Sequence, residues 1–313
     1  MRFRERRAAS ALGEAYSWVA MAMIAAVCLL ILLTVFVVGK DAFSLKFLTS
    51  EPNPSAMGAD AGGISTPIIG TVLLTLIGIG VAFPLSLATA IYTTYYQGRG
   101  PIGRCVNLAI DILSGVPTIV IALFALAIFT NPALALLSTP VQNDGGAIEK
   151  AYGRSFLVAG VTMAIMILPS VVKAMAEALH AVPAAYLDGS LALGADKWRT
   201  VCKVALPSAR RGLVTGAILG MGRIMGDTAI VWLALGGTLR MTGRQPWFLP
   251  SNWLDTLRNT GGTLTSYIYY ASPAGEGDNL RVAFGASLAL ILIIIALNAA
   301  AAFLGGAGRT EDE

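Results

Sequence analysis

Arg223 and Asp227 lie four residues apart in Gly222-Arg223-Ile224-Met225-Gly226-Asp227-Thr228-Ala229, and no other charge falls between Gly212 and Leu235. On a helix that spacing is one turn, so the two side chains can neutralise each other. A planar guanidinium is equally suited to forked hydrogen bonds with an oxyanion. Two readings therefore stand together: a structural ion pair, and a cation that exchanges the Asp227 carboxylate for a passing anion. A charge in an apolar span costs about 3 kcal/mol on insertion scales and marks a pathway or a partner. Taking Gly212 as origin and 100° per residue, Arg223 and Asp227 fall near about 20° and 60°, beside Gly216 and Gly220. The opposite side collects Val214, Ala217, Ile218, Met221, Ile224, Met225 and Trp232. One face is read as serving close helix approach and something polar, the other lipid or apolar packing.

Other chemistries have no support. No Gly-x-x-x-x-Gly-Lys-Ser/Thr phosphate loop and no His-Glu-x-x-His occurs, so nothing in the chain speaks for ATP hydrolysis or zinc proteolysis. Cys28, Cys105 and Cys202 form no cluster and are expected as unpaired thiols. His180 is the only histidine and is expected in a loop or at an interface rather than on a metal. The chain is not expected to be an enzyme or to bind a cofactor; if it is energised, a partner does the work.

The elements that carry these residues belong in a membrane. Of 313 residues 56% are hydrophobic and 13% charged, and 34 more are glycine. Soluble domains hold about 25% charged residues, enough to cover a wet surface. Six apolar stretches reach the ~20 residues a helix needs to cross hydrocarbon: about Trp18 to Val38, Pro67 to Tyr96, Val106 to Phe129, Ser155 to Val172, Gly212 to Leu235 and Val282 to Leu304. Pro84 is expected to kink the second. The first lacks a small-x-small cleavage pattern and reads as a retained anchor. Residues 1–17 and 305–313 are then short cytoplasmic ends flanking a single membrane domain, 18–304. With both termini inside, the cytoplasmic side receives Arg2, Arg4, Arg6, Arg7, Arg99, Arg104, Arg309 and the basic residues between Lys173 and Arg211. That distribution obeys the positive-inside rule, against Arg240, Arg244, Arg258 and Arg281 on the other side.

The loop 173–211 reads as helix, turn, helix. Pro183 starts a helix through Leu193, Gly194 provides a left-handed C′ position, Asp196 caps the next helix and Pro207 ends it. A short helix pair under a membrane domain is shaped to enter a cleft on another protein. A DNA-reading helix pair is a poor alternative, because both ends are tethered to spans and no basic recognition face stands out.

Asp188-Gly189-Ser190-Leu191-Ala192-Leu193-Gly194, followed by Leu206-Pro207, resembles the EAA loop of ABC-importer permeases, with Asp-Gly-Ser in place of Glu-Ala-Ala. Arg223 to Ala229 resembles the Arg-Ala-x-Gly-Glu-Thr-Ala motif of the permease subunits of the high-affinity phosphate importer, and Ser114-Gly115-Val116-Pro117-Thr118-Ile119-Val120 is similar to that family's Gly-Val-Pro-Ser-Ile-Val segment. Thr228-Ala229 and Tyr267-Ile268-Tyr269-Tyr270-Ala271-Ser272-Pro273 look more like the A-type permease than the C-type. The resemblance implies an all-α, six-span, type I importer permease in the bacterial plasma membrane. It also implies a second, C-type permease, two copies of a cytoplasmic ATPase holding Mg-ATP, and an extracytoplasmic phosphate-binding protein. Arg223, with Asp227 and Thr228, would lie on the phosphate pathway; Asp188, Gly189, Ser190, Gly194, Leu206 and Pro207 would couple to the ATPase. Permeation of another oxyanion or small solute, and a non-conducting scaffold or sensor that binds the ATPase, are the rival functions.

In the third span Asn107, Asp111, Ser114 and Thr118 follow at helical spacing and form one polar stripe. It is read either as lining the path or the seam with the partner permease, or as bonding to neighbouring helices only. The long loops 39–66, 130–154 and 236–281, with Trp247 and Trp253, are consistent with a surface for the binding protein.

Overall fold

The computed structural model describes residues 2–53, 62–98, 100–142, 148–247, 249–275 and 277–306, and side chains in its helices from Gly13. Arg99, Arg309 and the tail from residue 307 lie outside the described residues, as do the side chains of Arg2, Arg4, Arg6 and Arg7.

The elements are helical apart from one small ribbon. They run α1 (Arg2–Gly39), α2 (Leu45–Thr49), α3 (Ser65–Ile91), α4 (Pro101–Gly115), α5 (Thr118–Phe129), β1 (Pro140–Gln142), β2 (Ile148–Ala151), α6 (Phe156–His180) and α7 (Ala184–Ala192). There follow α8 (Lys197–Thr200), α9 (Leu206–Gly226), α10 (Trp253–Arg258), α11 (Leu264–Ala271) and α12 (Leu280–Gly306). The two strands pair antiparallel as a hairpin.

Four of the expected spans appear as long apolar helices: the Gly13–Gly39 part of α1, α3 with its π-helical extension to Tyr96, α6, and α12. Pro84 sits inside α3 without ending it. The third span is corrected: α4 and α5 meet at 106°, so the stretch is not one straight helix. Pro117 disfavours helical backbone at the residue before it, and Val116 is extended at φ −76, ψ 127. The expected polar stripe is therefore split, with Asp111 and Ser114 on α4 and Thr118 in the first turn of α5.

The fourth and fifth spans also differ from expectation. α6 starts where predicted, with the Val158 amide donating to the Ser155 hydroxyl at 3.0 Å, but continues to His180, because Lys173 to His180 holds no breaker. The polar segment between spans thus begins eight residues later than Lys173. Pro207 does not end a helix: α8 passes through a π-helical turn at Val201–Ala205 straight into α9. Pro207 is in the first turn of α9, where the wider π-helical turn tolerates its missing N–H. At the other end α9 stops at Gly226, Asp227 is extended, and a second helical piece ends with a π-helical turn at Val231–Leu235.

α6 is the centre of the bundle, packed between α3 and α9. Fully buried Met163, Ile167, Val171 and Met175 of α6 join Leu74 of α3 and Ile224 of α9 in the main core. The helices approach closely at small residues: a Cβ on Gly160 would meet the Ile77 side chain, and one on Gly78 would lie 2.8 Å from Ile224 Cδ1. A second core joins Phe47 of α2 and Leu264 and Tyr267 of α11 to Val282 and Ala286 of α12. From Gly13 on, α1 is exposed almost throughout, and it packs on α12.

Candidate translocation and docking sites

Arg223 is exposed on α9, whereas Ile224, Met225, Met221, Gly220 and Gly216 are buried. α9 is covered by α6, α12 and α3, and the uncovered stripe runs through Arg211, Thr215, Leu219, Arg223 and Gly226. The expected division of faces holds except for Arg223. The glycine side does make the close approach, Gly216 to Met175 and Gly220 to Val171 of α6. Arg223 lies at the edge of that side and points away from it, and the opposite side serves apolar packing, with Met221, Ile224 and Met225 buried and Val214, Ala217, Ile218 and Trp232 half-buried.

The one-turn ion pair does not form. Among the described residues the ion pairs within 4.0 Å are Lys173–Asp111 and Arg240–Glu51. Helix geometry placed Asp227 above Arg223, but the backbone leaves the helix at Gly226, and the Asp227 carboxylate accepts the Ile230 amide at 2.8 Å. It caps the second helical piece. The Asp227 carbonyl accepts the Thr265 hydroxyl at 3.3 Å, which ties the break to α11. Thr228 is exposed beside it. A guanidinium with no carboxylate at contact distance, at the end of a helix and on its open side, is available to an anion from outside this chain.

Asp111 is partnered: Lys173 Nζ donates to it at 2.9 Å from α6, with both side chains more than half exposed. The Ser114 hydroxyl turns back to the Asp111 carbonyl at 2.7 Å, as a helix-bending serine does. This pair and Asn107, His180 and Gln97 line a cavity of about 620 Å³. His180 is exposed at the end of α6, with Nδ1 2.8 Å from the Ala176 carbonyl oxygen. Cys28 and Cys105 are exposed and Cys202 half-buried, all free.

The segment after α6 folds as its local signals require. Pro183 precedes α7, Gly194 has φ +84, and the Asp196 carboxylate accepts the Arg199 amide at 2.6 Å. A hydrogen bond of 3.0 Å between the Ser190 and Thr200 hydroxyls pins α7 to α8. Asp188 and Gly189 are exposed, and a side chain on Gly189 would meet nothing. Tyr186 and Trp198 are open, and Leu193 is 91% exposed. Leu206 and Pro207, grouped with these residues by sequence, instead form the first turn of α9.

Three features carry no local signal in the sequence. Lys173 pairs with a residue 62 positions away. Trp232 meets Tyr269 edge-on at 5.6 Å on the wall of a cavity of about 700 Å³ that also includes Tyr270 and Arg240. Tyr95 bonds the last turn of α6 before α7, and Tyr96 contacts Lys197 at the start of α8 after it.

This helical bundle shares its fold with the membrane subunits of ABC transporters. A bacterial alginate ABC transporter superposes with a TM-score of 0.59 at 12% identity, over 91% of this chain and 92% of that one. An inward-facing methionine ABC transporter gives 0.55 at 18% identity, over 76% and 93%. By sequence the chain belongs to the binding-protein-dependent transport system inner membrane component family, whose profile matches residues 80–307. It is a multi-pass membrane protein.

Among its relatives, the phosphate transport system permease protein PstA 1 of Mycobacterium tuberculosis is 30% identical over 244 residues, 78% of this chain and 71% of that protein. The probable ABC transporter permease protein YqgI of Bacillus subtilis is 26% identical over 91% of this chain and 90% of its own. The phosphate transport system permease protein PstC of Xylella fastidiosa is 31% identical over 65% of each.

Proposed function

We propose that this chain is the A-type permease of an ATP-driven importer of inorganic phosphate, forming half of the pathway with a C-type permease. Two copies of a cytoplasmic ATPase bind and hydrolyse Mg-ATP, an extracytoplasmic phosphate-binding protein delivers the anion, and both termini face the cytoplasm. The observation that carries the reading is the state of Arg223: a guanidinium on the uncovered stripe of α9, with no ion pair to a carboxylate among the described residues. In a site closed from bulk water such a cation offsets the charge of a desolvated anion, and its fork matches two oxygens of a tetrahedral ligand. Asp227 holds the helix break that ends α9 there, and Thr228 adds an exposed hydroxyl. The phosphate permeases among the relatives support the choice of anion. The open surface of α7 with Asp188, Gly189 and Ser190 receives the ATPase, and Gly194 sets the angle at which α7 is presented.

The test is ATP-dependent uptake into proteoliposomes holding the chain with its partner permease, ATPase and binding protein, with phosphate and sulfate offered in parallel. Phosphate uptake that is lost in an assembled Arg223→Gln complex is the expected result. Sulfate uptake would keep the importer and replace its substrate. ATP hydrolysis with uptake of neither would favour a non-conducting scaffold.

A further inference from the structure

The α7 segment stands on α3 at both ends. Where it leaves α6, the Tyr95 hydroxyl donates to the Leu179 carbonyl at 3.0 Å, within the last turn of that helix. Where it enters α8, the Lys197 ammonium sits 5.0 Å from the centroid of the Tyr96 ring. The two tyrosines are consecutive and belong to the π-helical turn Tyr92–Tyr96 that finishes α3. Between the two contacts α7 is exposed except at Leu187, which packs on the main core, and Ser190; it is held internally by the Ser190–Thr200 hydroxyl pair and by the Ala195 amide donating to the Ser190 carbonyl.

We propose that Tyr95 and Tyr96 are positioning residues that clamp both feet of the α7 segment to α3, so that a push on α7 moves α3 together with α9. The inference rests on the reading of α7 as the ATPase-docking helix. Without the clamp, force on α7 reaches α9 along the chain through α8, while α3 follows only through side-chain packing. With it, one hydrogen bond and one cation–ring contact fix the spacing between the entry and exit of the segment. Tyr95 acts through its hydroxyl and Tyr96 through its ring face, so Tyr95→Phe cuts the first contact whereas Tyr96→Phe preserves the second.

The test uses the full complex, with spin labels at Gly98→Cys and Ala185→Cys after Cys28→Ser, Cys105→Ser and Cys202→Ser. The distance between labels is measured by pulsed electron resonance with and without trapped nucleotide. With the clamp intact it stays constant; in Tyr95→Phe/Tyr96→Leu it changes on nucleotide binding. In the same proteoliposomes the double variant assembles and hydrolyses ATP, while phosphate moved per ATP falls about tenfold, the loss expected from removing two contacts of ordinary strength. Tyr96→Phe and Lys197→Arg retain the full ratio. A label distance that already changes in the clamped complex, or that stays fixed in the double variant, overturns the clamp. So does a fall in uptake matched by an equal fall in hydrolysis. The label distance does not depend on which solute is carried: if it behaves as expected while no phosphate is moved, the substrate assignment fails and the clamp stands.

Discussion

The two ends of the molecule are built on different principles. At the end where α6 begins, connections far apart in sequence are sewn to one another. The Arg258 guanidinium donates to the Ala135 carbonyl at 2.8 Å and the Ser138 carbonyl at 3.4 Å, the Ser155 amide to the Ala234 carbonyl, and the Phe156 amide to the Asn259 carbonyl. The Thr139 hydroxyl reaches Asn259, and Arg240 reaches the Pro52 carbonyl. At the other end α7 has no fully buried side chain, and Leu187 alone of its large apolar residues packs against the main core. Loops on an ordinary surface are mobile and loosely held; here the longer loops are the well-bonded ones, and the short helical segment is bare.

That contrast sets an order of expected effects. Phe156→Ala removes a fully buried ring packed on Gly261 and should cost about 3–5 kcal/mol, read as a lowered unfolding midpoint in detergent. An unchanged midpoint would mean the cap is not part of the cooperative unit. Arg258→Ala leaves two carbonyls of the segment between α5 and β1 without their donor and should cost about 1–3 kcal/mol. Gly194→Ala, at φ +84, should cost about 1–2 kcal/mol for the left-handed backbone. Its second readout is ATPase retention on co-purification, because the angle of α7 shifts with it. Leu193→Ser should change stability by less than about 0.5 kcal/mol, since the side chain is 91% exposed, yet weaken ATPase retention. Equal retention by Leu193→Ser and the unmodified chain would take that surface out of the docking site.

The bare end was legible in the sequence because each step there is a local backbone rule. Pro183, Gly194 and Asp196 each dictate their own residue's conformation, and all three do what their types require. The spans were legible from composition, but their interruptions were not. Helical bookkeeping assumes an unbroken axis, and it misplaced Asp227 because the axis ends at Gly226. A cap signal was available there, a carboxylate three residues before the Ile230 amide, hidden inside an apolar run. Pro117 signalled its break in the same way, though not the 106° it produces. The Asp111–Lys173 pair and the tyrosine contacts with Leu179 and Lys197 depend on which helices lie side by side, and one chain read alone does not contain that information. α11 had a readable start, the reciprocal cap between Thr263 and Ser266, within a stretch taken as loop.

The uninterrupted course from Lys197 to Gly226 has a mechanical consequence. Thirty residues at about 1.5 Å each follow a helical path roughly 45 Å long, about the full thickness of a bilayer with its headgroups. Its short arm begins where Asp196 caps α8, and its far tip carries Arg223. A tilt of about 5° about one end displaces the other by about 4 Å, close to the width of one ion contact. Had Pro207 ended the helix, as the sequence suggested, that gearing would have been lost at a flexible joint.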